Sequence, residues 1–243
     1  MDPVGLVVAT AGLLLAGVVK GTTGIGYATC ALPFLTFMFG LKPAMALVLL
    51  PTFVTNLSLS FAAENLLPIA RKFSPLYLAM APGIGTGVYL LATLDQTTAV
   101  LVLGSLMIAY ALIALAKPSF KLSAATESRL KIPVGFVGGI LTGLTGSQVL
   151  PLVPYMMAVE METDDAIQAI NLGVLVLTIL LGVGLLTNRV VNPELMGWSA
   201  MAVAPALLGT YVGTRIRVHL PTPYVRSLIL IVVGLAGVKM LTG

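Results

Sequence analysis

The sequence predicts an all-α integral membrane protein made of two inverted repeats, each a Gly-broken helical hairpin plus three transmembrane helices, about eight hydrophobic segments in all. Three observations predict it. Hydrophobic residues form 58% of the 243-residue chain and charged ones 9%, with a mean hydropathy of +1.05, far from the balance of soluble domains. Four runs, "AMALVLLPTFVTNLSLSFAA", "AVLVLGSLMIAYALIALA", "AINLGVLVLTILLGVGLL" and "SLILIVVGLAGVKMLTG", approach the ~20 apolar residues that cross hydrocarbon, without the polar alternation of a barrel strand. Landmarks of the first half recur about 122 residues later: "KGTTG" (Lys20 to Gly24) over "TGLTG" (Thr142 to Gly146), and "MAPGIGTGVY" over "VAPALLGTYVG".

In chain order, residues 4–39 are too long for one span, and the glycines from Gly21 to Gly26 cut them into two helical pieces. Asp2 stands where a secretory signal would carry Lys or Arg, so this run is expected to stay in the mature bundle. Three spans complete a first repeat over 1–116, with Pro51 and Pro82 as kinks. Residues 117–131 are polar and basic and read as the linker between the repeats. The second repeat, 132–243, opens with residues 132–158, which read either as one tilted span or as two half-helices folded back on themselves. Its later spans carry Asn171 and the kink at Pro205.

The positive-inside rule favours the folded-back alternative. It then gathers the linker, Arg71 with Lys72, and Arg215 with Arg217 on one side, the cytoplasm, with the N-terminus outside. That count gives the two halves opposite orientation. The net charge of +4 reads as membrane orientation and not as nucleic-acid binding. Cys30, the sole cysteine, excludes an internal disulfide and a CxxC metal site and reads as a packing residue.

Inverted repeats with glycine-broken helices place a transporter's site near the midplane, where the breaks meet. Lys20 follows an apolar run that carries it into the bilayer, at a cost of about 2.5–3.5 kcal/mol on insertion scales, and its helix supplies no Asp or Glu. An anionic substrate would be its partner; the bland alternative is a lysine at the membrane interface. Gly21, Gly24 and Gly26 allow close backbone approach, and half-helices starting after them would aim free N–H groups at the same point. Thr22, Thr23 and Tyr27 add hydroxyls, while Thr142, Gly143, Thr145, Gly146, Ser147 and Gln148 supply neutral groups from the second break. Threonines in membrane helices also back-bond their own backbone. Asn56 and Asn171 either bridge helices or donate to the substrate.

"ETDDAIQ" (Glu162 to Gln168) resembles magnesium-diphosphate motifs only superficially, because a second Asp cluster is missing; Thr163 or Asp164 is expected to cap the helix starting there. His219 sits in a basic loop, and neither HExxH nor GxSxG occurs. The expectation is a protein that is not an enzyme and needs no metal or cofactor. "GVVKGTTGIGYATCALPFL" (Gly17 to Leu35) and its echo "GILTGLTGSQVLPLVPY" (Gly139 to Tyr155) resemble the duplicated Gly-rich signature of the TauE/SafE sulfite and organosulfonate exporter family. The resemblance implies an inner-membrane carrier that moves sulfite, sulfoacetate or related anions outward. The combined expectation is a secondary transporter exporting such anions by alternating access, with a homodimer possible. The alternatives are an anion channel, a transporter of another small organic anion, a membrane transferase using Asp164 and Asp165, and a cation permease, the last disfavoured for want of carboxylate or His/Cys ligands.

Overall fold

A computed structural model of the protein describes residues 3–61, 65–116, 121–217 and 222–242. All regular structure among these residues is helical. In order come α1 (Pro3–Thr23), α2 (Tyr27–Phe39), α3 (Leu41–Phe61), α4 (Leu66–Lys72), α5 (Ser74–Thr93) and α6 (Gln96–Ala116). They are followed by α7 (Ala124–Thr145), α8 (Leu152–Ala158), α9 (Thr163–Thr187), α10 (Pro193–Met201), α11 (Val203–Arg217) and α12 (Thr222–Thr242). Five described helical stretches are long and apolar enough to cross a membrane: Leu41–Ser60, Ser74–Thr93, Gln96–Ala116, Thr163–Thr187 and Pro193–Arg217. Shorter apolar helices cover Val7–Thr23, Tyr27–Phe39 and Ile229–Thr242. Large apolar side chains such as Leu78, Leu112, Val183 and Leu235 point outward, as a bilayer requires. This is a multi-pass membrane protein.

Both broken segments fold back. A Cβ on Gly12 would lie 3.5 Å from that of Phe34, so α2 returns antiparallel along α1. In the second half Leu122 N donates to Ala158 O at 2.8 Å, which brings the chain back to the end where α7 starts. Gly40, just beyond α2, packs on Gln96 at the start of α6.

The most extensive interfaces are α5 on α7 and α1 on α11, followed by α6 on α12 and α3 on α9. The first two are parallel crossings in which glycine meets glycine: Gly83 faces Gly139 and Gly87 faces Gly143, while Gly17 faces Gly209 and Gly21 faces Gly213. Small residues at both partners let the backbones touch, which is the main source of attraction between helices in lipid. The α6 and α12 pair is antiparallel, with Gly104 against Met240 and Ala111 against Gly234.

The structure departs from the sequence reading at several points. Residues 124–131, expected as linker, are the first turns of α7; Ser123 Oγ accepts from Thr126 N at 3.3 Å and starts the helix before the apolar run. Neither Thr163 nor Asp164 caps α9: Glu162 holds the cap position without a side-chain bond, and Asp165 instead accepts from Asn65 at 2.9 Å. Glu64, His219 and residues 117–120 lie outside the described residues. Basic residues gather at one end, where Lys72 and Lys131 pair with Glu127 at 3.3 and 3.5 Å. At the other end Asp95 caps α6, and the Thr98 hydroxyl and amide hold its carboxyl below the usual range. Pro51 cannot donate to Leu47 O, and Ser199 Oγ does so instead at 3.1 Å, tying α3 to α10.

Candidate functional site

The same local chemistry makes both helix breaks. At the first, Gly24 takes φ 80° and its N–H donates to Lys20 O at 2.7 Å; Thr23 Oγ1 donates to Val19 O at 2.9 Å and accepts from Ile25 N at 3.4 Å. At the second, Gly146 takes φ 74° and donates to Thr142 O at 2.8 Å; Thr145 Oγ1 donates to Leu141 O at 2.7 Å and accepts from Ser147 N at 3.2 Å. A positive φ strains any side chain, so glycine ends each helix, and the preceding threonine covers the first amide that the helix no longer serves.

The breaks are unequal in charge. Lys20, 1% exposed, lies one turn before the first and directs Nζ to Asn56 Oδ1 at 2.7 Å and Asn171 Oδ1 at 3.0 Å. The amides are oriented from behind: Asn56 Nδ2 donates to Thr52 O at 2.7 Å, and Asn171 Nδ2 to Ile167 O and Gly24 O at 2.8 and 3.1 Å. Only their oxygens remain for the ammonium. Lys20 takes no part in the Lys72–Glu127 and Lys131–Glu127 ion pairs. Its equivalent at the second break, Thr142, donates to Ser147 O at 3.0 Å.

A cavity of ≈ 20 Å³, room for about one water-sized group, adjoins Lys20. Its polar lining comes from the first turn of α2 (Gly26, Tyr27, Thr29), from Thr52 and Asn56 on α3, and from Gln148 after the second break. Tyr27 Oη, Thr52 Oγ1 and Gln148 Oε1 are buried without a hydrogen-bond partner among the described residues. Leaving such groups unmatched ordinarily costs about 1–3 kcal/mol each, so the cluster is built for something other than packing.

Of the residues expected at a site, Lys20, Gly26, Tyr27, Asn56 and Gln148 line this cavity, and Asn171 reaches it through Lys20. Asn56 and Asn171 are bridges, and the bridge runs through the lysine. Gly24 offers its carbonyl to Asn171, while Thr22 and Thr23 turn their hydroxyls onto backbone carbonyls and border a second, larger cavity. Gly21 and Gly143 serve helix packing against α11 and α5; Thr142, Thr145, Gly146 and Ser147 build the second break. Sequence reasoning missed Thr52 and Thr29. Thr52 stands one turn before Asn56 on the same face of α3, and Thr29 lies in the first turn of the half-helix, so helical spacing could have found both.

The arrangement is cationic and rich in neutral donors: an ammonium, two free hydroxyls and the N-terminal turn of a 13-residue helix converge on one small space. Among the described residues no group of three or more His, Cys, Asp or Glu could hold a metal ion. These donors match the oxygens of a small oxyanion, which is larger than the ≈ 20 Å³ space, so the cavity would have to widen to take one. Comparison with known families agrees with that chemistry: the family model described as "Sulfite exporter TauE/SafE" matches residues 9–240, whereas no curated protein and no solved structure matches the chain. The chain belongs to the sulfite exporter TauE/SafE family.

Proposed function

We propose that the protein exports sulfite or a small organosulfonate by alternating access, binding the anion between Lys20, Tyr27 and Thr52. Family membership makes it a membrane transporter of small sulfur-containing anions and not an enzyme. The observation that carries the site is Lys20 itself: an ammonium held in the protein interior by two amide oxygens, beside hydroxyls that bond to nothing. An arriving oxyanion supplies the missing charge and accepts from those hydroxyls and from the α2 first turn. A single cation among neutral donors binds the anion weakly enough to release it.

The reading includes two inverted repeats, 1–116 and 132–243, with the N-terminus outside and the basic stretch 117–131 between them, which includes the first turns of α7, cytoplasmic. Its support is directional. Equivalent helices α6 and α12 run antiparallel, α1 of one half lies parallel on α11 of the other, and α7 lies parallel on α5, as an axis in the membrane plane demands. The two glycine-locked pairs then move as units, and the site between them opens to alternate sides. Outward movement of an anion is favoured by a negative-inside potential at about 2.3 kcal/mol per charge per 100 mV, so a uniporter suffices.

The test is counterflow in proteoliposomes loaded with unlabelled sulfite or ethanesulfonate. Saturable uptake of labelled anion against its own gradient supports a carrier; a flux that neither saturates nor shows counterflow indicates a channel. No flux of either anion removes the substrate assignment.

The unpartnered hydroxyls yield a separate expectation. Tyr27→Phe and Thr52→Val remove no internal hydrogen bond from those hydroxyls, so thermal unfolding in detergent should change by less than about 1 kcal/mol. Each takes away a donor to a charged ligand, so KM for the anion should rise about tenfold. Unchanged KM in both variants would place the anion elsewhere.

A further inference from the structure

A second cavity, of ≈ 210 Å³, lies beside the first and shares Ile25, Gly26 and Thr29 with it. We propose that this larger cavity is a loading site for the transported oxyanion, with Arg217 at its mouth and Thr29 at its neck, from which the anion passes to Lys20. The inference rests on the transport reading above but assigns a site that reading does not contain.

Arg217 is the one basic side chain among the described residues lining the cavity, and it is exposed. It makes no hydrogen bond, ion pair or ring contact among them, whereas Arg215, two residues earlier, stacks over the Tyr211 ring at 5.2 Å. A guanidinium left open at a cavity mouth matches two oxygens of a sulfonate or sulfite at once. Thr163, exposed at the start of α9, also lines the cavity, and its hydroxyl bonds to none of the described residues. Acidic Glu160, Glu162, Asp164 and Asp165 flank that point in the chain and oppose an anion's approach, so the anion's one attractive charge among the described lining residues is Arg217.

The neck is shaped for passage. A Cβ built on Gly26 meets nothing within 4 Å, so the missing side chain leaves open space where the two cavities join. Thr29 faces both cavities and, unlike Thr22, Thr23 and Thr55, does not spend its hydroxyl on its own backbone. The other walls combine apolar side chains, among them Val19, Ile167 and Leu230, with Tyr110 and with Thr22 and Thr23, whose hydroxyls are already turned onto the Val19 carbonyl. The cavity opens at the basic end of the bundle: Met157 lines it, and Lys121 reaches Met157 O at 3.4 Å. An exporter would load there.

The test uses a Thr163→Cys protein in a Cys30→Ala background and compares its thiol labelling by anionic methanethiosulfonate ethylsulfonate and by the cationic ethyltrimethylammonium analogue. Ethanesulfonate is expected to slow labelling, and Arg217→Gln to lower the anionic-to-cationic rate ratio at least about fivefold while abolishing that protection; Arg217→Lys should retain both. No protection by ethanesulfonate in the Thr163→Cys protein overturns the proposal, as does a ratio that Arg217→Gln leaves unchanged. The protection measurement needs no change at Arg217 and decides the matter if the glutamine variant does not fold. Protection without counterflow would leave an anion-binding cavity but remove the transport reading and the loading role with it; counterflow without protection would overturn the loading site alone.

Discussion

Replacing Lys20 with Gln should reduce sulfite or sulfonate exchange at least about 100-fold while the protein remains folded. The expectation follows from what the ammonium does in each state. It would contribute a charge-assisted hydrogen bond to the anion, worth about 1.5–3 kcal/mol, together with the one cationic charge among the described residues lining the inner cavity. Losing both removes affinity and the electrostatic reason for an anion to leave water. The folded protein loses much less. An ammonium without a carboxylate partner is a poor contributor to stability, and replacing buried charge with neutral groups is often neutral or favourable. A glutamine amide can still donate to one of the two asparagine oxygens now satisfied at 2.7 and 3.0 Å. The melting temperature in detergent should therefore stay near that of the native protein, or rise. Exchange at native rates with Lys20→Gln would return the lysine to a structural role, and a collapse of stability would make it a core bridge whose loss explains any inactivity. Function placed against stability in this way is a common property of binding sites.

Much of this was legible in the sequence because glycine and charge are loud signals in an apolar chain. "KGTTG" and "TGLTG" announced both breaks, and the left-handed φ of Gly24 and Gly146 is the physical reason for them. Lys20 stood out because nothing near it in sequence could neutralise it. What stayed hidden was the use of each hydroxyl. A threonine in a helix looks the same in sequence whether it bonds its own carbonyl, as Thr22 does, or faces a cavity, as Thr52 does; the neighbouring helix decides. The bridging of Lys20 by Asn56 and Asn171 was invisible for a related reason, since it joins residues 36 and 151 positions apart. The glycines also divide in a way that sequence alone does not reveal. Gly24 and Gly146 are required by backbone conformation, Gly21 and Gly143 by the approach of another helix.

That division sets the second large expectation: Gly87→Ala and Gly213→Ala should each destabilise the protein by more than about 2 kcal/mol, whereas Gly85→Ala should be neutral or slightly stabilising. On Gly87 a Cβ would run into Ile140 O and come within 2.9 Å of Gly143 Cα; on Gly213 it would meet Val18 O and lie 3.0 Å from Gly21 Cα. Backbone cannot swing aside as a side chain can, so the helices must separate along a whole interface. Lipid supplies no hydrophobic penalty to hold them together once that contact is lost. Gly85, two residues from Gly87 on the same helix, has nothing within 4 Å of its Cβ position, and alanine there only improves helix propensity. Thermal unfolding and the monodisperse fraction in detergent measure all three. Equal behaviour of Gly85→Ala and Gly87→Ala would mean that the crossing is looser than the structure has it. The same contacts bear on transport, because α1 belongs to one half of the chain and α11 to the other, and the same is true of α5 and α7. Backbones this close leave no side-chain layer to slide across, so each pair moves as one piece. On the alternating-access reading proposed above, the bodies that rock around Lys20 are therefore mixed from both halves, and the yielding surface would be the one between them, where α3 meets α9 and the two asparagines hold the lysine.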